Sequence, residues 1–152
     1  MEYIESARRA RDRARPDTIE GVFGFSRAKQ VYYSASSLMW LPNESALKVA
    51  TLSAITAINV WKHEPSEQRS LDDEALARVY LATARLKLGE IDGAMQAMRP
   101  VMDLPTERQI SWIRRRIGEL AEILNEERFQ NSTTAGNARN ELRAYAHGSL
   151  GR

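Results

Sequence analysis

The sequence predicts an all-α protein built from helix hairpins in series, and three observations carry that prediction. Apolar residues recur at i, i+3, i+4 and i+7 over most of the chain, the period of one helix face. Pro, Gly and Asn punctuate these stretches at intervals of about one helix. Runs of β-branched residues with period two, the mark of a strand, do not occur. At 152 residues and 43% hydrophobic content, the chain can bury one continuous core, so residues 1–152 are read as one helical domain of six to seven helices.

Residues 2–15 form the first predicted helix, rich in Ala and Arg, with Tyr3, Ala7, Ala10 and Ala14 as a thin apolar stripe ended by Pro16 and Asp17. Glu20 to Phe25 holds two glycines and no helical period. It reads as an ordered loop that plugs Phe23 and Phe25 into the core, with Ser26 as the cap of the next helix. Residues 26–147 then divide into three helix pairs. The first joins 26–41, with Ala28, Val31, Tyr32, Ala35, Leu38 and Met39 on one face, to 44–62, with Leu47, Ala50, Thr51, Ala54, Ile58 and Trp61 inward; Pro42 and Asn43 separate them. Residues 65–70 are polar and predict a flexible loop. The second pair joins 72–88 to 91–102 across Gly89, a left-handed terminator. Leu104-Pro105-Thr106 turns the chain into the third pair. Its first helix is 107–125, with Ile110, Ile113, Ile117, Leu120 and Leu124 inward, and its second follows a polar break at 130–133 and runs to Ala146, fraying at Gly148.

The net charge of +2 has an address. Residues 1–15 hold five Arg against three acids, and the remainder is balanced at 17 of each sign. A domain that grips duplex nucleic acid needs a basic face, because counterion release from the phosphates supplies much of its affinity. The body has no such face, so no direct nucleic-acid binding is expected, and the Arg-rich first helix, interspersed with acids and Ala, reads as a docking helix. The absence of Cys excludes disulfides, thiolate metal sites and cysteine nucleophiles, and suits a reducing cytoplasm. No apolar leader and no run of about 18 apolar residues occurs, so neither export nor membrane insertion is expected. The two histidines, His63 at a helix end and His147 in the tail, stand far apart and predict no metal site. No phosphate loop, nucleophile elbow or Ser, His and Asp arrangement is present, so neither enzymatic activity nor a cofactor is expected.

A repeat is legible. Ala75 to Arg108 spans 34 residues, with Leu81-Ala82 seven before Gly89, Ala94 five after it and Pro105 closing the unit. These are positions where a tetratricopeptide repeat places a large residue beside a small one, a Gly in the turn and a small residue where two helices cross. Weaker copies lie at Tyr33-Ser34 with Ala46, and at Ile117-Gly118. The runs GVFGFSRAKQVYYSASSLMWL and DDEALARVYLATARLKLGEIDGAMQAMRPVMDLP, followed by the Arg-rich helix at 107–125, resemble the carboxy-terminal tetratricopeptide-like domain of actinobacterial helix-turn-helix regulators, over roughly residues 5–147. The resemblance implies an α-α superhelix acting as the sensory or binding half of a transcriptional regulator, whose repeat groove recognises a peptide, a small ligand or a partner protein. The alternative is a scaffold or oligomerisation module without ligand, such as a homodimer, since every solenoid has open ends. In that family a helix-turn-helix domain binds DNA. This chain holds none, and DNA binding is not carried over.

Six residues are candidates for the groove. Arg78 and Arg85, seven apart on one helix face, stand where such repeats have large aromatics. Either their stems pack while their heads reach Asp73, Glu74 or Glu90, or, with Tyr80, they line the groove as a clamp for carboxylate or phosphate. Arg114, Arg115 and Arg116 point about 100° apart and cannot form one patch; Arg115 is expected beside Trp112 in the groove. Tyr32 and Tyr33 project to different sides, so at most one is core, and Tyr33 is the groove candidate. Trp40 and Trp61 are expected in the core. An exposed Tyr or Trp would anchor an interface better than any charge, because it buries much area with few rotors.

Overall fold

Local capping chemistry fixes where three of the helices begin. Asn43, Ser70 and Ser132 each accept a hydrogen bond from the backbone N–H three residues on, at 2.7, 3.2 and 3.1 Å, so an otherwise open first-turn donor is satisfied. The computed structural model describes residues 2–13, 27–64, 70–105 and 111–148. Among them are seven α-helices: α1 (Glu2–Arg13), α2 (Arg27–Leu38), α3 (Glu44–His63), α4 (Leu71–Leu88), α5 (Ile91–Met102), α6 (Ser111–Ile123) and α7 (Thr133–Ala146). A 3-10 turn at Glu127–Phe129 separates the last two, and no strand occurs among the described residues. The protein is all-α, as its periodicity predicts.

Gly89 ends α4 with φ 85°, a left-handed conformation in which its N–H reaches the Leu86 carbonyl at 2.9 Å. The chain turns there directly into α5. The expected ends of the first helix at Pro16, the Phe23 and Phe25 plug, the Ser26 cap, most of the 65–70 loop and the start of the 107–125 helix lie outside the described residues. The Glu127–Phe129 turn was not expected, because its buried Phe129 is a lone aromatic in a polar stretch without helical period.

Three antiparallel hairpins pack against one another: α2 with α3, α4 with α5, and α6 with α7. α4 also touches α2, α3 and α6, while α5 touches α7. α4 is therefore central, and its sequence suits that place: Ala75, Ala77, Val79, Leu81, Ala82, Ala84 and Leu86 are buried all round the helix. Small side chains let neighbouring helices approach α4 from several sides. Larger ones fill the space between: Trp61 from α3, Met98 from α5, and Ile113, Ile117 and Leu120 from α6 are all but inaccessible. Each such aliphatic side chain contributes about 2 kcal/mol by leaving water.

The repeat positions divide. Leu81, Ala82 and Ala94 are buried as expected, and Gly118 lies at the crossing of α6 and α7, where a β-carbon would stand 3.6 Å from that of Ala146. The copy in α2 is not a core pair. Tyr33 is half exposed and Ser34 spends its hydroxyl on the Gln30 carbonyl, so Ala35 is the small residue at that depth. Every described side chain of α1 is exposed.

Candidate functional site

The helical period places three ridges on one face. Along α2 run Lys29, Tyr33 and Ser36, spaced i, i+4 and i+7, with Trp40 in the turn that follows; along α4 run Asp73, Leu76, Tyr80 and Lys87; along α6 run Trp112, Arg116, Glu119 and Ile123. Contacts between the helices tie these ridges together rung by rung. At one end the Lys29 ammonium lies 3.7 Å from the Asp73 carboxylate. In the middle the Ser36 hydroxyl and, from α6, the Arg116 charge both act on the Tyr80 hydroxyl. At the far end the Lys87 ammonium lies 4.4 Å from the centre of the Trp40 ring.

The face is aromatic. Trp40 is 60% exposed and Tyr33 48%. The Tyr33 ring lies 4.5 Å from that of Tyr32, which in turn lies 5.4 Å from Trp61 and 6.0 Å from Tyr80. The exposed ring thus backs onto a buried ladder that holds it in place. Tyr32, 2% exposed, donates to the Asp73 carboxylate at 3.3 Å, and Lys29 neutralises that acid from its other side. Burial foremost, then the Tyr33 hydroxyl and the Asp73 charge, push the Tyr32 phenol far above its ordinary range. Burial also raises Tyr80, against the opposing pull of Arg116 and Ser36. Both phenols are neutral hydrogen-bonding groups at physiological pH.

Of the six expected residues, Tyr33 and Tyr80 meet on this face, and Trp112, half-buried, sits four residues before Arg116 on the α6 ridge. Arg115 is a correction. It points away, largely exposed, and reaches Glu119 only at 4.0 Å, whereas the charge of Arg116 acts on Tyr80. One residue along a helix is a turn of about 100°, enough to exchange the two.

Arg78 and Arg85 are corrected too. They lie about 200° and 140° around α4 from Tyr80, so they cannot share its face. Arg78 pairs with Glu74 through its Nε and Nη2, at 3.2 and 2.9 Å, and both side chains are nearly buried. Arg85 donates to the Gly93 carbonyl at 2.7 Å and lies 3.9 Å from Glu90. It borders an open, polar cleft of about 510 Å³ between the α4–α5 turn and the start of α7, lined also by Gln96, Ser132 and Thr134. The packing-and-pairing alternative holds for both arginines, and neither forms a clamp with Tyr80.

Sequence reasoning missed Trp40, Ser36, Lys87 and Arg116. Trp40 was expected in the core with Trp61, but only Trp61 is buried there. The signal was present: Trp40 stands off the Ala28, Val31, Ala35 and Leu38 stripe and continues the spacing of the Tyr33 ridge. His63 donates through Nδ1 to the Asn59 carbonyl, 2.7 Å away, on its own helix. No cluster of three His, Cys, Asp or Glu side chains suited to a metal occurs among the described residues, and none of their helices is long and apolar enough to cross a membrane. No family model, curated protein or solved structure matches this chain.

Proposed function

We propose that the chain is a non-enzymatic recognition module, the sensory or partner-binding half of a transcriptional regulator, built as a tetratricopeptide-like stack that takes a peptide segment on the α2, α4 and α6 face. The single observation that carries this reading is the pair of exposed rings, Trp40 and Tyr33, on one face and buttressed from behind by Tyr32, Tyr80 and Lys87. Rigid, half-exposed aromatics give up much surface on binding and lose little rotamer freedom, which is why they dominate interface energetics. The packing order of the hairpins, the 34-residue unit ending near Pro105 and the resemblance to regulator domains support the repeat reading.

The test is panning of the immobilised chain against a displayed library of random decapeptides. Retention should fall about ten-fold or more in Tyr33→Ser and Trp40→Ala, a loss of at least about 1.4 kcal/mol, and persist in Arg85→Gln on the opposite face. Equal retention by all four proteins, or none by any, sinks the reading.

A second reading, self-association through α1, is favoured by the exposure of Tyr3 at 89% on a helix whose described side chains are all exposed. Sedimentation of the chain with and without residues 1–13 separates it from the first.

A further inference from the structure

We infer that the α2, α4 and α6 face selects an acidic segment of a partner protein carrying two carboxylates about three residues apart, one for Lys87 and one for Arg116. This rests on the reading of that face as a docking surface and adds the chemistry of the occupant.

Charge balance is the first argument. Among the described residues, Lys29, Lys87 and Arg116 border the face together with Asp73 and Glu119, and Glu64 stands close enough to Asp73 to act on it. Lys29 and Asp73 offset each other. Glu119 is shared by Arg116 at 2.8 Å and Arg115 at 4.0 Å, so one carboxylate serves two guanidinium groups. At the rim, Arg128 takes Glu126 at 2.9 Å. Among the described residues, Lys87 beside Trp40 and Arg116 beside Tyr80 are thus left incompletely compensated.

Lys87 is the more specific of the two. Its ammonium donates to the Met39 carbonyl at 2.9 Å and lies over the Trp40 ring, but no carboxylate pairs with it among the described residues. An ammonium has three donors, and the carbonyl takes one. Burial, with Arg128 nearby, disfavours its charge, while Glu126 offers partial relief. An arriving carboxylate would therefore find a pre-positioned and incompletely compensated cation, with an indole beside it for an apolar neighbour. Lys87 lies seven residues beyond Tyr80, about 10 Å along α4, and Arg116 acts at Tyr80. An extended or polyproline-like segment advances about 3.1–3.4 Å per residue, which puts the two acids three apart, with an apolar residue between them against Tyr33 and Trp40.

Single-stranded nucleic acid also combines stacking with phosphate contacts, but it needs a groove that is basic along its track. Here Asp73 and Glu119 interrupt the track.

The experiment is to sequence the decapeptide pool retained by the chain, and to remeasure retention on Lys87→Met and Arg116→Gln, each checked by thermal melting. The expected pool is enriched in Asp or Glu at i and i+3 with an aliphatic or aromatic residue between them. Each variant should lose about ten-fold in retention and the corresponding acid preference, and an oligothymidylate should not displace the pool. A retained pool that depends on Tyr33 and Trp40 but is apolar or basic overturns the acidic inference and leaves the docking face standing. Displacement by the oligonucleotide also overturns it. An empty pool overturns both.

Discussion

The Lys87 ammonium lies 4.4 Å from the centre of the Trp40 ring while it donates to the carbonyl of Met39, the residue before that Trp. One cation thus fastens α4 to the turn between α2 and α3 and holds an exposed indole in a defined place. A double-mutant cycle of Trp40→Ala and Lys87→Met in urea denaturation should give a coupling of about 0.5–1 kcal/mol, typical of a partly solvated cation over an aromatic face. Additive effects would mean that the two side chains do not support each other.

Alkali should destabilise the fold through its tyrosines. Tyr32, Tyr80 and Tyr145 all have phenols raised above the ordinary value of 10 by burial. A raised folded value means that the native state keeps its proton while the unfolded chain gives it up. The stabilisation is therefore complete below pH 10 and lost as pH rises beyond it. Urea midpoints should be flat with respect to these groups below pH 10 and fall above it, with a shallower fall in Tyr32→Phe. An equal fall in that variant would remove Tyr32 from the explanation.

The Arg78 and Glu74 pair is structural. Their side chains are 12% and 9% exposed, so removing either partner leaves a charge with little water to replace it. Arg78→Ala or Glu74→Ala should cost about 3 kcal/mol of stability, whereas the joint change Glu74→Leu with Arg78→Met should recover most of that loss. Because both residues lie away from the Tyr80 face, peptide retention by the folded double variant should be unchanged. A loss of retention at unchanged stability would return Arg78 to the binding surface.

Gly89→Ala isolates a backbone effect. A β-carbon there meets nothing within 4 Å, so the cost comes from the left-handed φ of 85° alone, about 1 kcal/mol. Denaturation should show that loss without a change in far-ultraviolet circular dichroism. A loss several times larger would mean that the α4–α5 turn rearranges.

How much of this was legible in the sequence follows from which physics decides each feature. Gly89, Asn43 and the Ile113, Ile117, Leu120 and Leu124 stripe act locally, through backbone conformation, capping and a single helical period, so the α4–α5 turn, the start of α3 and the inward face of α6 could be read directly. The site was half legible. Tyr33 and Tyr80 could be named from their residue type, but α4 is buried nearly all round, and its sequence carries no polar face to show which side is open. Arg78 and Arg85 were therefore placed beside Tyr80 although the helix turns them away. The Arg115 and Arg116 exchange has the same origin: three consecutive arginines share composition and differ only by rotation. Trp40 was taken for core because large aromatics usually are; it stands instead in the turn past α2, against Lys87, 47 residues away in sequence.

The most direct measurement is chemical-shift mapping of the isotope-labelled chain with the tightest peptide from the decapeptide library. Perturbations should concentrate on Tyr33, Ser36, Trp40, Tyr80, Lys87 and Arg116 and spare Arg78, Arg85 and α7. Perturbations centred instead on Arg85, Gly93 and Thr134 would move the site to the polar cleft on the other side of α4, and contradict the assignment of recognition to the α2, α4 and α6 face.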